Sequence, residues 1–168
     1  LILEREKAEF LSNPHMQPQL KGLDYVLERQ LKPEARKDVV EQLKTLGIKP
    51  TSMIDISDGL ASEILHLCKE SGVGCQLYEE RIPIDPTTDR MAKEFQIVPS
   101  VAALSGGEDY ELLFTIDQKD YEKIQTLSAD VSVIGYMTED KGIAEMITPD
   151  GHVIPIKAQG WDHMRKHE

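Results

Sequence analysis

The chain has 168 residues, enough for one domain with a hydrophobic core, or for one domain with an arm. Lys and Arg number 19 against 30 Asp and Glu, and this net charge of −11 argues against non-specific nucleic-acid binding. No stretch reaches membrane-spanning length, no signal peptide is visible, and Cys68 and Cys75 lack the spacing of a zinc site. We therefore expect a cytoplasmic protein with no nucleic-acid or membrane partner. Cys68 lies at a core position of its predicted helix, and we expect it to be a reduced packing residue.

The first 31 residues predict two helical pieces that the prolines of "SNPHMQPQ" separate. These pieces lack the density of apolar residues that marks a core. We predict that residues 1–31 form a helical arm or link to a missing N-terminal domain, and that residues 32–168 form the second domain. Because Leu1 rather than Met opens the sequence, we expect the chain to be a piece of a longer protein.

Helices and strands then alternate along the chain. Pro33 suits the first turn of a helix over 34–46, and Gly47 ends it. Periodicity and turn residues predict the elements that follow: strand 52–56, helix 59–71, strand 74–80, helix 87–95, strand 110–116, helix 118–127, strand 131–137 and a hairpin over 142–156. This order predicts an α/β (or α+β) sandwich with one mixed sheet and packed helices.

Two aspartates stand where a strand meets a helix, in "MIDISDGL". Asp55 ends the strand and Asp58 starts the helix, so their carboxylates can converge and would repel each other without a cation. Mg²⁺ commonly takes one or two protein carboxylates together with phosphate oxygens. Ser57 adds a hydroxyl near the N–H groups of the helix N-terminus, and Gly59 allows another group to approach the backbone. The alternative is a helix cap beside a solvated acid.

A second group of polar residues, "SGGED", precedes the strand at 110–116. A Gly-Gly turn with two acids favours a loop that closes on a ligand and presents Glu108 and Asp109 to it. The alternative is a flexible turn with solubilising charge. The only tryptophan, Trp161 in "QGWDHM", is placed to stack on an aromatic ligand, or alternatively to anchor the tail on the domain.

Together, "MIDISDGL", "SGGEDYELLF" and "GWDH" resemble the C-terminal half of thiamine-monophosphate kinases, within the aminoimidazole-ribonucleotide (AIR) synthetase-like superfamily. The resemblance covers roughly residues 31–164. It implies an AIR synthetase C-terminal-domain-like fold and Mg²⁺-assisted, ATP-dependent phosphorylation of thiamine monophosphate to thiamine diphosphate. It also implies a two-domain subunit, a homodimer at full length, and an N-terminal half that supplies much of the ATP and metal site.

The resemblance also assigns roles to residues of this chain. Asp55 and Asp58 resemble Mg²⁺ ligands and Ser57 an ATP contact, whereas Glu108 and Trp161 resemble contacts to the thiamine substrate. The sequence departs from the family where Ala35 replaces a second proline, a change that affects no chemistry. No covalent phospho-enzyme is expected. We expect the chain alone to be inactive; the alternatives are a non-catalytic nucleotide- or partner-binding module, or another superfamily enzyme with a different substrate.

Overall fold

A computed structural model describes residues 1–15, 17, 20–127 and 129–158. Its helices and strands follow the alternating order that the sequence predicts. In chain order they are α1 (Ile2–Ser12), α2 (Asp24–Leu31), α3 (Lys37–Thr45), β1 (Ser52–Asp55), α4 (Leu60–Ser71), β2 (Gly74–Tyr78), α5 (Pro86–Glu94), α6 (Pro99–Ser105), β3 (Leu112–Thr115), α7 (Tyr121–Ile124), β4 (Gly135–Thr138), β5 (Ala144–Ile147) and β6 (Val153–Pro155). Within these described ranges, no helix has the length and apolar character needed to cross a membrane.

The strands form two sheets rather than the single sheet that the sequence predicted. Strands β1 and β3 pair antiparallel, with Asp55 opposite Leu112. The other strands form a four-stranded sheet in the order β4-β2-β5-β6, in which only β2 and β5 are parallel. The α/β class and the mixed sheet are therefore confirmed. The single sheet was wrong because periodicity identifies strands but not their partners.

Helix α4 is the central element of the larger hydrophobic core and contacts strands of both sheets. Its apolar stripe includes Leu60, Ile64 and Leu67, and it packs against buried residues of β2 and β5 such as Leu77 and Met146. Both cysteines are free and buried, as predicted for Cys68, and burial raises the pKa of the Cys75 thiol to about 12. A smaller core joins α3 to α7 through Val39, Leu43, Ile48 and Ile124.

Most predicted elements are present with shorter bounds. The helix predicted at 118–127 is present over that whole range, although only α7 is α-helical. Two 3₁₀ turns, Gln118–Asp120 and Gln125–Leu127, flank it. Strand β4 begins four residues later than the predicted 131–137. Helix α6, which the sequence analysis did not predict, begins at Pro99, a residue that suits the first turn of a helix.

Residues 1–31 contain the two predicted helices, and both make contacts with later elements. Arg5 of α1 forms an ion pair with Glu94 of α5, and Arg29 of α2 forms one with Glu111 just before β3. Leu23 is buried at the start of α2. The helices of the predicted arm therefore lie against the remaining chain, and the domain boundary after residue 31 stays a prediction.

Candidate functional site

The turn after β1 and the loop before β3 lie side by side, because the two strands are antiparallel. Backbone hydrogen bonds continue past the strand ends. The Ile56 N–H donates to the Glu111 carbonyl at 2.8 Å, and the Tyr110 N–H donates to the Ile56 carbonyl at 2.8 Å. Further along, the Glu108 N–H donates to the Ser57 carbonyl at 2.7 Å. The two motifs, which are distant in the sequence, thus form one continuous surface.

Glycines allow this close approach of backbone to backbone. A Cβ atom at Gly107 would lie 2.6 Å from the Ser57 carbonyl oxygen. A Cβ atom at Gly59, where φ is +112°, would lie 2.8 Å from the Leu104 carbonyl oxygen at the end of α6. These distances are shorter than van der Waals contact, so a larger residue at either position would displace the backbone. The predicted close approach at Gly59 is confirmed, and the group that approaches it is the last turn of α6.

Asp55 and Asp58 are both exposed, and neither carboxylate has a hydrogen bond or ion pair with another residue in the described ranges. Strand β1 ends at Asp55, as predicted. Helix α4 begins at Leu60 with Gly59 as its N-cap and without a capping side chain. The prediction that Asp58 starts the helix was therefore wrong, and the alternative of Asp58 as a helix cap is wrong for the same reason.

These oxygen donors suit a hard cation that takes only some of its ligands from this chain. Among the described residues there is no group of three or more His, Cys, Asp or Glu that could hold a metal ion. Two exposed carboxylates with oxygen donors suit Mg²⁺, which keeps several waters and readily binds phosphate oxygens. The same pair does not suit a closed zinc site, which needs four ligands. The convergence of the two carboxylates stays a prediction.

Glu63 is a residue of this turn that the sequence analysis missed. Its side chain is 2% exposed, in the first turn of α4. Its Oε1 accepts hydrogen bonds from the Asp58 N–H at 3.1 Å and from the Ser57 hydroxyl at 3.3 Å. The available sequence signal was an acid on the apolar stripe, one turn after Leu60 and one turn before Leu67. The Ser57 hydroxyl, which is predicted to contact ATP, thus already donates a hydrogen bond to a buried acid.

The loop that carries Glu108 and Asp109 is bonded to α2 as well as to the turn. Glu108 (φ +68°) and Tyr110 (φ +52°) have left-handed backbone conformations, which residues with side chains rarely adopt. The Gln30 side-chain amide donates to the Glu108 carboxylate, and an Arg29 N–H donates to the Asp109 carbonyl at 3.2 Å. The loop is therefore bonded to the turn after β1 on one side and to α2 on the other. Its closure on a ligand stays a prediction.

Glu111, at the end of this loop, lies between two arginines. It pairs with Arg29, and its other oxygen is 2.5 Å from Nη1 of Arg36. Hydrogen bonds to Asp38 and Glu111 raise the pKa of Arg36, so its charge is fixed. The pKa of the nearby Asp109 is raised, chiefly because neighbouring atoms crowd its carboxylate and partly desolvate it, although the residue stays exposed to solvent. Charges from the N-terminal part of the chain thus hold the start of β3.

A cavity of about 1460 Å³ opens next to this loop rather than over the aspartates. Asp109 and Glu111 line it, together with Arg36 and Tyr25. The residues that line this cavity do not include Asp55, Asp58 or Glu108. The predicted ligands of these three residues would therefore bind outside it. Trp161 lies outside the described residues.

Comparison with known proteins places this arrangement in a family. Residues 9–147 match the model of the C-terminal domain of AIR synthase related proteins. The chain belongs to this family. The match begins inside the predicted arm and includes both motifs of the site.

Among curated relatives, the thiamine-monophosphate kinase of Pyrococcus abyssi is 34% identical over 137 residues, which are 82% of this chain and 40% of that protein. The crystal structure of thiamine monophosphate kinase from Aquifex aeolicus has a TM-score of 0.66 and 28% identity, and the likeness covers 92% of this chain and 48% of that one. AaThiL complexed with AMPPCP and TMP gives a TM-score of 0.64 at 28% identity over 92% of this chain and 47% of that chain. This chain therefore spans less than half the length of each of these three proteins.

Proposed function

We propose that this chain forms the C-terminal half of a thiamine-monophosphate kinase. The observation that carries the proposal is the Glu108-to-Ser57 backbone hydrogen bond, because it joins the exposed acid pair to the loop of acids in one surface. Family membership and the names of the curated relatives support the same activity. The reaction transfers the γ-phosphoryl group of ATP to thiamine monophosphate and yields ADP and thiamine diphosphate.

The residues of this chain take separate roles in the proposal. Asp55 and Asp58 would hold Mg²⁺, which when bound screens the negative charge of the phosphate oxygens. Ser57 would contact ATP, while Glu108 and Trp161 would contact the thiamine substrate. A phosphate oxygen of thiamine monophosphate attacks the γ-phosphorus in line, a new P–O bond forms, and the bond to the ADP oxygen breaks. The protein mainly positions the two substrates, and no covalent phospho-enzyme is needed.

The remaining part of the site would come from sequence outside this chain. Two carboxylates are too few to neutralise two phosphorylated substrates, and the chain spans only 40% of its P. abyssi relative. We propose that the full-length protein is a cytoplasmic homodimer and that this chain alone is inactive. Well-oriented positioning of reactants contributes as much as about 7–11 kcal/mol to a reaction barrier, and half a site loses most of that contribution.

A second candidate is a non-catalytic module that binds a nucleotide or a partner protein. It is favoured by the small donor set, since the described residues offer no group of three metal-binding side chains. The two candidates differ in the full-length protein. The kinase releases ADP only when thiamine monophosphate is present, whereas a binding module releases none.

The test is a coupled ADP-release assay of the full-length protein with ATP, Mg²⁺ and thiamine monophosphate. We expect turnover by the unchanged protein, and a loss of about 10²-fold or more in kcat/KM for Asp58→Asn, because a charged ligand is removed from the site. Asp150→Asn is the matched control, since Asp150 is an exposed aspartate in the β5–β6 turn. Absence of substrate-dependent ADP release, or full activity of Asp58→Asn, would contradict the proposal.

A further inference from the structure

The peptide unit between Ser57 and Asp58 is bonded on both of its edges. Its N–H, that of Asp58, donates to the Oε1 of Glu63 at 3.1 Å. Its carbonyl, that of Ser57, accepts from the Glu108 N–H at 2.7 Å. Because a trans peptide is planar, with its N–H and C=O pointing in opposite directions, fixing one edge fixes the other. The Glu63 carboxylate and the Glu108 loop are thus connected through a single rigid group.

Glu63 also orients the side chain at the same turn. The Ser57 hydroxyl donates to the Oε1 atom that holds the Asp58 N–H, at 3.3 Å. One carboxylate oxygen therefore determines both the direction of the hydroxyl and the plane of the peptide. The exposed carboxylate of Asp58 follows directly from that peptide, so its position depends on a residue that is itself buried.

The buried Glu63 carboxylate lies close to the N-terminus of α4, a place in a fold that commonly binds anions. Unsatisfied N–H groups and the helix dipole make a helix N-terminus a site for anions. Here the anionic group comes from within the helix, because Glu63 accepts from the N–H just before the Gly59 N-cap. One backbone N–H beside this helix N-terminus is therefore already bonded to a carboxylate of the chain itself.

The other carboxylate oxygen of Glu63 shows how this arrangement destabilises the folded state. Its Oε2 atom is buried and has no hydrogen-bond partner among the described residues. A buried polar atom without a partner destabilises the folded state. A side chain of similar length without charge would suit the apolar stripe of α4 better, so stability alone does not account for an acid here.

We infer that Glu63 is a positioning residue, whose buried carboxylate fixes the Ser57–Asp58 peptide and thereby the placement of Asp58 relative to Glu108. The inference about geometry is independent of the activity, and only its consequence for turnover rests on the proposed function. Two variants of similar length separate the roles. Glu63→Gln keeps an acceptor oxygen, whereas Glu63→Met removes it and leaves an apolar side chain on an apolar stripe.

The first experiment measures amide hydrogen exchange by NMR in the chain of residues 1–168. We expect Glu63→Met to speed exchange of the Asp58 and Glu108 amides at least tenfold, and to leave those of Leu67 and Cys68 in the middle of α4 unchanged. Glu63→Gln should retain most of the protection at both amides. The control is Glu70→Gln, at an exposed position of the same helix, which should change neither amide.

The melting temperature of the same variants shows whether Glu63 merely stabilises the helix. We expect Glu63→Met to melt at the same temperature as the unchanged chain or higher, because it replaces a buried charge with an apolar group. Uniformly faster exchange along α4 with a lower melting temperature would overturn the inference. Unchanged exchange at Asp58 and Glu108 would overturn it as well.

The second experiment measures ADP release by the full-length protein as a function of Mg²⁺ concentration. We expect Glu63→Met to lower kcat/KM by about 10–100-fold and to raise the Mg²⁺ concentration for half-maximal rate, as loss of a group that orients a ligand does. Glu63→Gln should recover most of the rate. A Glu63→Met enzyme with normal Mg²⁺ dependence would overturn the consequence for turnover. If the unchanged protein shows no turnover, the proposed function fails, and the exchange experiment still decides the geometry.

Discussion

The turn after β1 and the loop before β3 are neighbours, yet they are held in different ways. The turn is fixed from the inside, by the buried Glu63 carboxylate and by the tight fit of Gly59 against α6. The loop backbone is bonded to this turn, and its outer side is held by Arg29, Gln30 and Arg36, which belong to the first part of the chain. One surface thus combines a segment fixed by packing with a segment fixed by surface charge.

Because of this difference, salt and mutations should affect the turn and the loop differently. Packing contacts and buried hydrogen bonds respond little to salt, whereas ion pairs near the surface weaken as ionic strength rises. The aspartates should therefore keep their placement under conditions that loosen Glu108. A mutation that disturbs the turn must change a buried contact, such as that of Glu63 or Gly59, whereas one that disturbs the loop needs only to remove a surface charge.

The largest expected effect comes from Gly59→Ala, which tests the tight fit of the turn. Its Cβ would lie 2.8 Å from a backbone oxygen, in a backbone conformation with φ +112°. We expect a loss of roughly 2–4 kcal/mol in the free energy of unfolding, from backbone strain and overpacking together. Denaturant unfolding followed by circular dichroism measures it.

Gly142→Ala is the matched control for this variant. Gly142 also has a positive φ, of +77°, but a Cβ there meets nothing within 4 Å. Gly142→Ala should lower the free energy of unfolding by about 1 kcal/mol, from backbone strain alone. Equal losses for the two variants would mean that the fit against α6 contributes nothing.

The next effect in size comes from Glu111→Gln, which tests the charges that hold the loop. The change removes a carboxylate that pairs with Arg29 and Arg36. We expect a loss of about 1 kcal/mol at low salt, which shrinks markedly in 1 M NaCl as charges are screened. Lys93→Met is the control, because its pair with Asp89 lies on an exposed helix surface and contributes a few tenths of a kcal/mol at most. A loss that is independent of salt would show that packing, not charge, holds the loop.

The smallest effect is a pH-dependent gain from Asp109→Asn. The pKa of Asp109 is raised, chiefly by partial desolvation of a residue that stays exposed, with Arg29 opposing the shift and Glu111 adding to it. The folded state therefore favours the protonated Asp109 carboxyl. The stability that this protonated group contributes is lost as pH rises through the pKa of the folded state. We expect Asp109→Asn to stabilise the fold at pH 7 by no more than about 0.5 kcal/mol. The gain should vanish below about pH 4, where the unfolded chain is also protonated; a gain that persists there would contradict this explanation.

Local sequence signals predicted much of this arrangement. The apolar stripe of α4 and the closing Gly72 predicted that helix almost to its observed ends. Asp55 was predicted at the end of a strand, where it lies. These features depend on residues within a few positions of one another, and helical and strand periodicity report on such local order.

The features that the sequence did not predict depend on distant contacts. Pairing of β1 with β3 brings Ser57 to Glu108, and no local pattern specifies that partner. Glu63 was overlooked because an acid within a helix is usually solvated, and only the packed structure shows that this one is buried. The helix start at Leu60 rather than Asp58 follows from the positive φ of Gly59, which the sequence permits but does not require.

In the proposed function, Asp55 and Asp58 bind one divalent cation beside the Glu108 loop. The most direct test is a crystal structure of the full-length protein with Mn²⁺ in place of Mg²⁺ and a non-hydrolysable ATP analogue, in which anomalous scattering locates the metal. We predict an anomalous peak with carboxylate oxygens of both Asp55 and Asp58 at about 2.1 Å, the distance typical of small octahedral cations. Anomalous peaks that contact neither aspartate, or side chains that point to opposite faces of the turn, would contradict the claim.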